Sequence, residues 1–422
     1  METINQKNKN IEQQNVLVLW EKKAFYKGTY KGVTGVGKTR IGVIACGEDI
    51  RTSPKSKKRW LIITPTENLR DNEWVNEFFD WGYAKELKSS VVLECIQRAY
   101  KREKETWDGL IIDEVHMSLG PQYRNLLENN TFKKILCLTA TIEDEENLAF
   151  LSKYAPIFYE TGLEEAKLLN MVSDFKIFNL CVNATEEEKR KYIEANNSYK
   201  RYITTFSGDD SSGQSFDTAM KCLNPNFVKR WAGFIKGDAN TVRTHSFKVM
   251  DAVRNRKLIC YNSENKIKEV KRITDRFPDR KTIVFSESII FANKITETLN
   301  GICLSYHSKV PKLSKISALE RFSLPGGSIR AISAVKALNV GFNVPDCSLG
   351  INTSGNSKSI DFFQRLGRTL RYQEDKVSIF IQLYLKIEGI KTQDEKWVEK
   401  RTVSNKDVKW ISSLEEVNEN KY

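Results

Sequence analysis

Short apolar runs of four to eight residues recur in the first third of the chain and again in the last third. In the first third they lie at residues 60–64 (WLIIT), 91–94, 110–113 (LIID) and 135–139 (ILCLT). Runs that are apolar on both faces are typical of parallel strands buried between two layers of helices. Stretches with helical periodicity, at residues 38–46 and 67–81, separate them. This alternation predicts a doubly wound α/β domain.

The last third of the chain returns to the same alternation, so we expect a second α/β domain there. Its apolar runs lie at residues 282–286, 302–305, 329–333, 348–352 and 377–384. Residues 185–277, between the two domains, are charged and helical in pattern, and the polar stretch 207–215 (SGDDSSGQS) predicts an exposed loop. We therefore expect an α/β domain at residues 1–165, a helical insertion or linker at 166–277, and an α/β domain with a short C-terminal extension at 278–422.

Composition narrows the class of protein and its partners. No apolar run approaches the ~18–20 residues of a membrane-spanning helix, and residues 1–15 lack the apolar stretch of a signal peptide. We expect a soluble protein with no membrane partner, located in the cytoplasm (the host cytoplasm for a viral protein, with the nucleus open for a eukaryotic one). Eight cysteines without a CxxC pair and only three histidines favour reduced, buried cysteines over a metal site. A net charge of +13 favours a polyanionic partner.

A glycine-rich loop at residues 32–39 reads Gly-Val-Thr-Gly-Val-Gly-Lys-Thr and satisfies G-x-x-x-x-G-K-[ST] at every fixed position. Gly35 and Gly37 can adopt backbone angles closed to other residues. The loop can therefore turn its N–H groups inward, at the start of the next helix, to bind phosphate oxygens. Lys38 would reach the β- and γ-phosphates, and the Thr39 hydroxyl would bind Mg²⁺. The other residues of this cradle are Gly32, Thr34 and Val36.

Such a loop requires a strand before it and a helix after it. The helix is evident at residues 38–46, but residues 28–31 make only a short, polar strand, so a chance glycine-rich turn stays an alternative. The pair Asp113-Glu114 argues against it, because the apolar run 110–112 places both acids at the C-terminal end of a buried strand, where α/β sheets bind ligands. Asp113 would hold Mg²⁺ through water, and Glu114 would orient and deprotonate the attacking water.

Two further segments distinguish a motor from a generic nucleotide-binding enzyme. Residues 139–141 (TAT) end the next strand, where hydroxyls can link the metal site to a neighbouring domain; His116 either takes part in that coupling or merely packs. Residues 364–371 read QRLGRTLR, beginning with Gln364. Helical spacing puts Arg368 and Arg371 on one face, where two guanidiniums can close on a γ-phosphate as arginine fingers do. A solvated basic helix is the alternative.

These segments occur in the order found in superfamily 2 helicases. The chain resembles DExH-type DNA helicases of the XPB-like and phage recombination groups, over about residues 11–401, and the phage-type likeness rests on QRLGR, His307-Ser308 and residues 392–401. The resemblance implies two RecA-like P-loop domains, each a parallel sheet flanked by helices, with a helical insertion between them. It also implies ATP and Mg²⁺ as cofactors and nucleic acid as partner, with DNA favoured as a single strand or branched junction.

The resemblance implies roles for further residues. Gln13 resembles the glutamine that reads adenine, although Gln14 fits the pattern equally well. Gly341 and Asn343 resemble the segment that couples ATP to the second domain; related motors usually carry Asp where Asn343 stands, so this coupling differs in detail. A third set resembles residues that hold the phosphates of a nucleic-acid strand, and its members are Pro65, Thr66, Ser286, Ser333 and Lys336.

Three rival functions remain open at this point. An RNA helicase, or an ATP-driven translocase that remodels without unwinding, would use the same cleft chemistry. A nucleotide-regulated binding protein with little turnover would bind ATP without hydrolysis stimulated by nucleic acid. The basic clusters at residues 51–59, 98–104 and 309–315 are candidates for nucleic-acid contact, and solvated loops explain each of them equally well.

Overall fold

The structure is a computed structural model that describes residues 4–53, 57–142, 144–206, 214–235, 237–335, 347–354, 365–366, 377–402 and 408–417. Six of the predicted site residues lie outside these ranges. They are Lys336, Gly341, Asn343, Gln364, Arg368 and Arg371. No helix in the described ranges is both long enough and apolar enough to cross a bilayer.

The first third of the chain forms a parallel sheet, as its apolar runs predict. Its strands are β1 (Lys27–Gly32), β2 (Trp60–Thr64), β3 (Val91–Cys95), β4 (Thr106–Ile112), β5 (Thr131–Thr139) and β6 (Ile157–Thr161). Their order across the described sheet is β3-β2-β4-β5-β1-β6, and every pairing is parallel. The loops after β1, β2, β4 and β5 therefore emerge at one edge of this sheet.

The polar strand before the glycine-rich loop is confirmed, and it lies in the interior of the sheet between β5 and β6. Its polar groups are paired inside the protein. The Thr29 hydroxyl donates to the carbonyl of Ala155 at 2.6 Å, and the buried Tyr30 hydroxyl donates to Thr161 Oγ1 at 2.8 Å. Because each buried polar group has a partner, a strand with little apolar character can occupy a central position.

Helices flank this sheet. They are α1 (Ile4–Lys22), α2 (Lys38–Arg51), α3 (Val75–Asp80), α4 (Ala84–Ser90), α5 (Ile96–Ala99), α6 (Asn125–Glu128), α7 (Glu145–Ser152) and α8 (Leu163–Leu168). The helix predicted at residues 67–81 is confirmed, but its first part, Leu69–Trp74, is a π-helix. π-helices are rare and frequently occur at functional sites.

The second sheet is also parallel. Its strands are β7 (Asp174–Asn183), β8 (Thr282–Ser286), β9 (Cys303–Tyr306), β10 (Ala331–Val335), β11 (Leu349–Asn352), β12 (Val377–Lys386) and β13 (Val408–Ile411). Their order in the described ranges is β13-β7-β12-β11-β8-β10-β9. Helices α14 (Ile289–Thr298), α15 (Lys312–Ser323) and α16 (Gln393–Thr402) belong to this part of the chain.

β7 corrects the expected domain plan. It lies within residues 166–277, the range assigned to a helical insertion, yet it pairs with β12 over ten residues and also with β13. Its apolar pattern is interrupted by Asn179, whose buried side-chain oxygen accepts a hydrogen bond from Gln382 Nε2 on β12 at 2.8 Å. The partner that makes this polar residue acceptable is 203 residues away, so the local pattern did not reveal the strand.

The helical part of the insertion begins after β7. Its helices are α9 (Glu186–Ile203), α10 (Gln214–Lys221), α11 (Pro225–Phe234), α12 (Ala239–Tyr261) and α13 (Glu264–Arg276). Thr185 and Glu188 form a capping box at the start of α9. The loop predicted at residues 207–215 is wrong at Gln214 and Ser215, which begin α10, and residues 207–213 lie outside the described ranges.

A buried ion pair joins the insertion to the second sheet. Lys266 on α13 is fully buried, and its ammonium group lies 2.5 Å from Asp394 Oδ2 on α16. The same group donates to the carbonyl of Cys260 at 2.9 Å and to that of Thr353 at 2.7 Å. Asp394 Oδ2 also accepts the backbone N–H of Leu385 at 2.9 Å. All three ammonium hydrogens therefore have acceptors, on three different segments of the chain.

Replacement of this lysine is expected to destabilise the fold strongly. Lys266→Met leaves the Asp394 carboxylate buried without its cation, which should lower the free energy of unfolding by ~3–5 kcal/mol. The matched control is Lys271→Met on the same helix, because Lys271 pairs with Asp275 at the surface and both side chains are about half exposed; its expected effect is below ~0.5 kcal/mol. Urea denaturation measures both, and equal effects would contradict this role of the buried pair.

Asp49, at the C-terminal end of α2, connects that helix to two strands. Its Oδ1 accepts hydrogen bonds from Lys58 at 2.6 Å and Lys134 at 2.7 Å, and its Oδ2 accepts one from the Trp60 indole at 3.0 Å. Burial alone would raise the pKa of Asp49, but the hydrogen bonds from Lys134, Lys58 and Trp60 hold this pKa below its usual value. The ionised form is therefore the one that stabilises the fold.

A carboxylate whose pKa is lowered by folding stabilises the protein fully above its unfolded-state pKa, and this contribution is lost as the pH falls through the folded-state pKa. Asp49→Asn is expected to reduce the free energy of unfolding at pH 7 by at least ~1.5 kcal/mol. The difference from the unsubstituted protein should narrow below about pH 4. Urea denaturation between pH 7 and pH 3.5 measures this, with the surface variant Asp275→Asn as control; a difference independent of pH would contradict the assignment.

Candidate nucleotide-binding site

The glycine-rich loop leads from β1 into α2. Gly35 and Gly37 have φ of 101° and 83°, in the left-handed region that favours glycine. No side chain caps the start of α2, so its first N–H groups face the loop, as in anion sites at helix N-termini. Lys38 is buried, and its ammonium group donates to the carbonyl of Gly32 at 2.9 Å and lies 3.5 Å from that of Val33. The loop thus curves around a positive charge.

The acidic pair follows β4 at the same edge of the sheet. Asp113 is buried; its Oδ1 accepts the backbone N–H of Glu114 at 3.0 Å, and its Oδ2 accepts the Trp74 indole N–H at 2.9 Å. Burial, followed by the neighbouring Glu114 charge, raises the pKa of Asp113, while Trp74 and Lys38 act in the opposite direction. A bound cation would favour the ionised carboxylate.

Glu114 has φ 46°, an unusual conformation for a residue other than glycine, and such strain is concentrated at functional sites. Its Oε2 lies 3.4 Å from His116 Nδ1. The same ring nitrogen lies 2.9 Å from Thr139 Oγ1 in the TAT segment, whose hydroxyl donates to the carbonyl of Thr141 at 2.9 Å. His116 therefore contacts both the acidic loop and the threonine loop, which is the geometry that coupling requires.

Of the two candidate glutamines, Gln13 is the one at the glycine-rich loop. It is buried, and its Nε2 donates to the carbonyl of Val36 at 3.0 Å, whereas Gln14 is exposed. A Cβ atom at Gly37 would lie 2.3 Å from Gln13 Nε2, so this approach requires glycine at position 37. Gln13 Oε1 is buried without a hydrogen-bond partner among the described residues. A buried, unpaired acceptor fits a ligand that brings an N–H group.

The site also fits Mg²⁺. Thr39, in the first turn of α2, is partly exposed and offers a hydroxyl, and Asp113 offers a carboxylate. The hydroxyls of Thr34 and Thr141 are buried without hydrogen-bond partners among the described residues. Mg²⁺ is usually held by one or two protein oxygens together with substrate phosphates and water, so a full set of protein ligands is unnecessary. Among the described residues, no three His, Cys, Asp or Glu side chains cluster as a metal site.

The residues predicted to contact nucleic acid differ in accessibility. Thr66 is partly exposed and follows β2 at the edge that carries the nucleotide site, with Pro65 buried beside it. Ser286, at the end of β8, and Ser333, within β10, are fully buried. The predicted phosphate contact therefore fits Thr66 best of these four. For the serines, direct contact stays a prediction that their burial does not favour.

Arg365 is a buried residue that the sequence pattern did not single out. It is fully buried; its Nη1 donates to Asn352 Oδ1 and to the carbonyl of Ser354, both at 2.7 Å, and its Nη2 forms an ion pair with Glu287. It thereby joins the segment after β8 to the segment after β11. Its place in QRLGRTLR, three positions before Arg368, was the available signal, because that spacing puts both arginines on one helical face.

These features define the class. A parallel sheet presents a glycine-rich phosphate loop, an acidic pair with Asp113 buried, and a threonine loop at one edge, and a second parallel sheet follows in the same chain. This is a P-loop nucleoside triphosphatase with two α/β units, connected in the sequence by a helical insertion.

Similarity to known proteins identifies the family. The model for the res subunit of type III restriction enzymes matches residues 1–144, and the model for the helicase conserved C-terminal domain matches residues 265–373. The DNA 3'-5' translocase XPB2 of Sulfurisphaera tokodaii is 26% identical over 365 residues, which is 84% of this chain and 76% of that protein. The DEAD-box ATP-dependent RNA helicase 22 of Oryza sativa is 26% identical over 151 residues, covering 35% of this chain and 23% of that protein.

Two solved structures share the fold. The Hef helicase domain of Pyrococcus furiosus has a TM-score of 0.50 and 17% identity, covering 92% of this chain and 97% of that one. The type ISP restriction-modification enzyme LlaBIII bound to DNA has a TM-score of 0.56 and 15% identity, covering 96% of this chain and 31% of that one. The chain belongs to the superfamily 2 helicases, and it is an ATP-hydrolysing motor with two RecA-like domains.

The contact between Gln13 and the phosphate loop leads to a prediction about nucleotide choice. Gln13→Ala removes the buried acceptor that fits the exocyclic amine of adenine, so ATP binding should weaken roughly tenfold and the preference for ATP over GTP should fall. Gln14→Ala, an exposed neighbour on the same helix, should change neither quantity. Titration with fluorescent ATP and GTP analogues measures both. Equal effects of the two variants would contradict the assignment of Gln13.

Proposed function

We propose that this chain moves along DNA and uses ATP hydrolysis to unwind it or to migrate branched structures, in replication, recombination or repair. One observation carries the nucleotide chemistry: Lys38 follows β1, Asp113 follows β4 and Thr139 ends β5, and the carboxyl ends of these three adjacent strands lie at one edge of the sheet. The preference for DNA rests on the archaeal relative, which is named a DNA translocase and matches 84% of the chain. The relative named as an RNA helicase matches 35%.

In the proposed mechanism each residue has a chemical task. The N–H groups of residues 32–39 and the Lys38 ammonium bind the phosphates, and Gln13 contacts the base. Thr39 and Asp113 would hold the metal ion, which would supply positive charge against that of the phosphates when it is bound. Glu114 accepts a proton from the attacking water. The contact of His116 with Thr139 couples nucleotide binding and hydrolysis to the position of the threonine loop.

The second α/β unit is proposed to complete the cleft. Arg368 and Arg371 would approach the γ-phosphate and stabilise its charge during hydrolysis, while Gly341 and Asn343 would couple the nucleotide to this unit. Gln364 opens the segment that carries the arginines, and the adjacent Arg365 is buried and donates to Asn352 and Ser354 of the second unit. We propose a three-part division of the chain that differs from the expected one in two ways: the helical insertion begins at Glu186, and β7 is counted with the second unit.

Nucleic-acid contact is proposed to run along the phosphates of one strand. Thr66 and Pro65 on the first unit, and the segments containing Ser286, Ser333 and Lys336 on the second, would grip the strand alternately as the cleft opens and closes. Contacts of this kind position a strand without reading its sequence. The residues Asp113 to His116 (DEVH) and the QRLGR pattern support a DExH-type motor with a phage-like or XPB-like character.

Two substitutions test the proposed chemistry. Lys38→Ala should remove phosphate binding, and Glu114→Gln should leave ATP binding intact while lowering turnover by ~10²–10⁴-fold, as expected when a general base is lost. Glu146→Gln, at an exposed position on α7, is the matched control and should behave as the unsubstituted protein. Steady-state ATPase assays and nucleotide titration measure these outcomes. ATPase activity at the unsubstituted level in Glu114→Gln would contradict the mechanism.

A panel of nucleic acids tests whether the substrate is DNA or RNA. ATPase rates with single-stranded DNA, duplex, fork, four-way junction and RNA should show stimulation by DNA above that by RNA. Strand-displacement and translocation assays on the best substrate then distinguish an unwinding motor from a translocase. Stimulation by RNA alone would overturn the assignment of DNA.

A further inference from the structure

Trp74, which no motif of the sequence singles out, contacts Asp113 of the acidic pair. Its indole nitrogen donates to Asp113 Oδ2 at 2.9 Å, and the side chain is fully buried. Indole has one polar hydrogen and no acceptor, so it can only donate. The partner oxygen of Asp113, Oδ1, accepts the backbone N–H of Glu114 at 3.0 Å. Both carboxylate oxygens are therefore held by donors fixed in the protein, which determines the plane of the carboxylate.

The protein places this indole with unusual backbone geometry. Trp74 is the last residue of the π-helix Leu69–Trp74, in which the backbone turn is wider than in the α-helix that continues at α3. The ring packs against α2, where a Cβ at Gly42 would lie 2.6 Å from it. Gly42 lies one helical turn beyond Lys38, so Trp74 is in contact with the helix that carries the phosphate-binding lysine and with the metal-binding acid.

Groups of this kind tune metal sites. Residues that hydrogen-bond to a metal-ligating side chain orient it, and their loss typically costs 10–100-fold in metal affinity or activity. Asp113 has particular need of such a partner, because a buried carboxylate is costly unless donors satisfy it. The indole supplies a donor without adding a competing charge or a competing metal ligand.

We propose that Trp74 is a positioning residue that orients the Asp113 carboxylate for the Mg²⁺–nucleotide complex. The inference rests on the proposed role of Asp113 and adds Trp74, from the π-helix, to the machinery of that site. It predicts that loss of the indole N–H impairs metal-dependent nucleotide binding more than it impairs the fold.

The chain offers a matched control for this test. Trp60 is also fully buried in the first unit, and its indole nitrogen donates to a carboxylate, that of Asp49, at 3.0 Å. Asp49 lies at the far end of α2 from the phosphate loop. Trp60→Phe and Trp74→Phe therefore remove the same chemical group from the same type of bond, and only the second bond involves the nucleotide site.

The readouts separate binding from stability. Mn²⁺ replaces Mg²⁺ as an EPR-visible probe, and its affinity is measured by titration in the presence of ADP, beside the Mg²⁺ concentration that gives half-maximal ATPase activity. We expect Trp74→Phe to weaken Mn²⁺ binding roughly tenfold or more and to raise the Mg²⁺ requirement similarly. ADP affinity without metal should change little. Trp60→Phe should leave both metal measurements unchanged while lowering the thermal unfolding midpoint.

The outcomes distinguish this inference from the function on which it rests. If the unsubstituted chain binds no Mn²⁺ with ADP, the assignment of the nucleotide site fails. If it binds Mn²⁺ normally and Trp74→Phe matches Trp60→Phe in metal affinity, the site stands and the role of Trp74 is overturned. If Trp74→Phe does not fold, Gly42→Ala displaces the ring without removing it, and an unchanged Mn²⁺ affinity in folded Gly42→Ala would also overturn it.

Discussion

The parallel pairing of β1, β4 and β5 is the constraint on which the nucleotide site depends. Parallel strands end at the same edge, so the loops that follow them meet although the chain separates them by many residues. Lys38, Asp113 and Thr139 come together for this reason. A register shift of one residue would turn every side chain to the opposite face and disperse the site. Secondary contacts from Gln13, Trp74 and His116 then fix the orientation of groups that the sheet has already brought close.

The second unit depends on buried polar groups of a different kind. Asn179, Gln382 and Asn352 lie in register on three neighbouring strands, and Arg365 donates to the last of them. Lys266 and Asp394 join the insertion to the same sheet. Such groups are costly to bury unless hydrogen bonds compensate them, so the bonds between them favour one arrangement of the segments over others. Arg365, three positions before the proposed finger Arg368, is therefore held at a defined position in the second unit.

Prediction from the sequence succeeded where local pattern and burial agree. The strand at residues 60–64 is apolar at its first four positions, and the structure has it at residues 60–64. The polar β1 was only weakly indicated, and β7 was missed, because their polar side chains are paired with residues far along the chain. The prediction of the nucleotide site was limited in the same way, because local sequence does not show which distant residues a side chain contacts. The sequence left Gln13 and Gln14 as equal candidates, because one residue of difference on a helix decides which side chain faces the loop and which faces solvent.

The sequence alone determined the phosphate loop and the acidic pair. Each is a short, contiguous stretch, so its residue types and its possible backbone angles can be read without knowing the tertiary structure. It also determined the family, through the order of its motifs. Only the tertiary structure decided that Trp74 holds Asp113, that Arg365 is an anchor, and that a strand before the insertion belongs to the second sheet. Each of these depends on a hydrogen bond between residues distant in the chain, and such a bond exists only after the sheets and helices have packed.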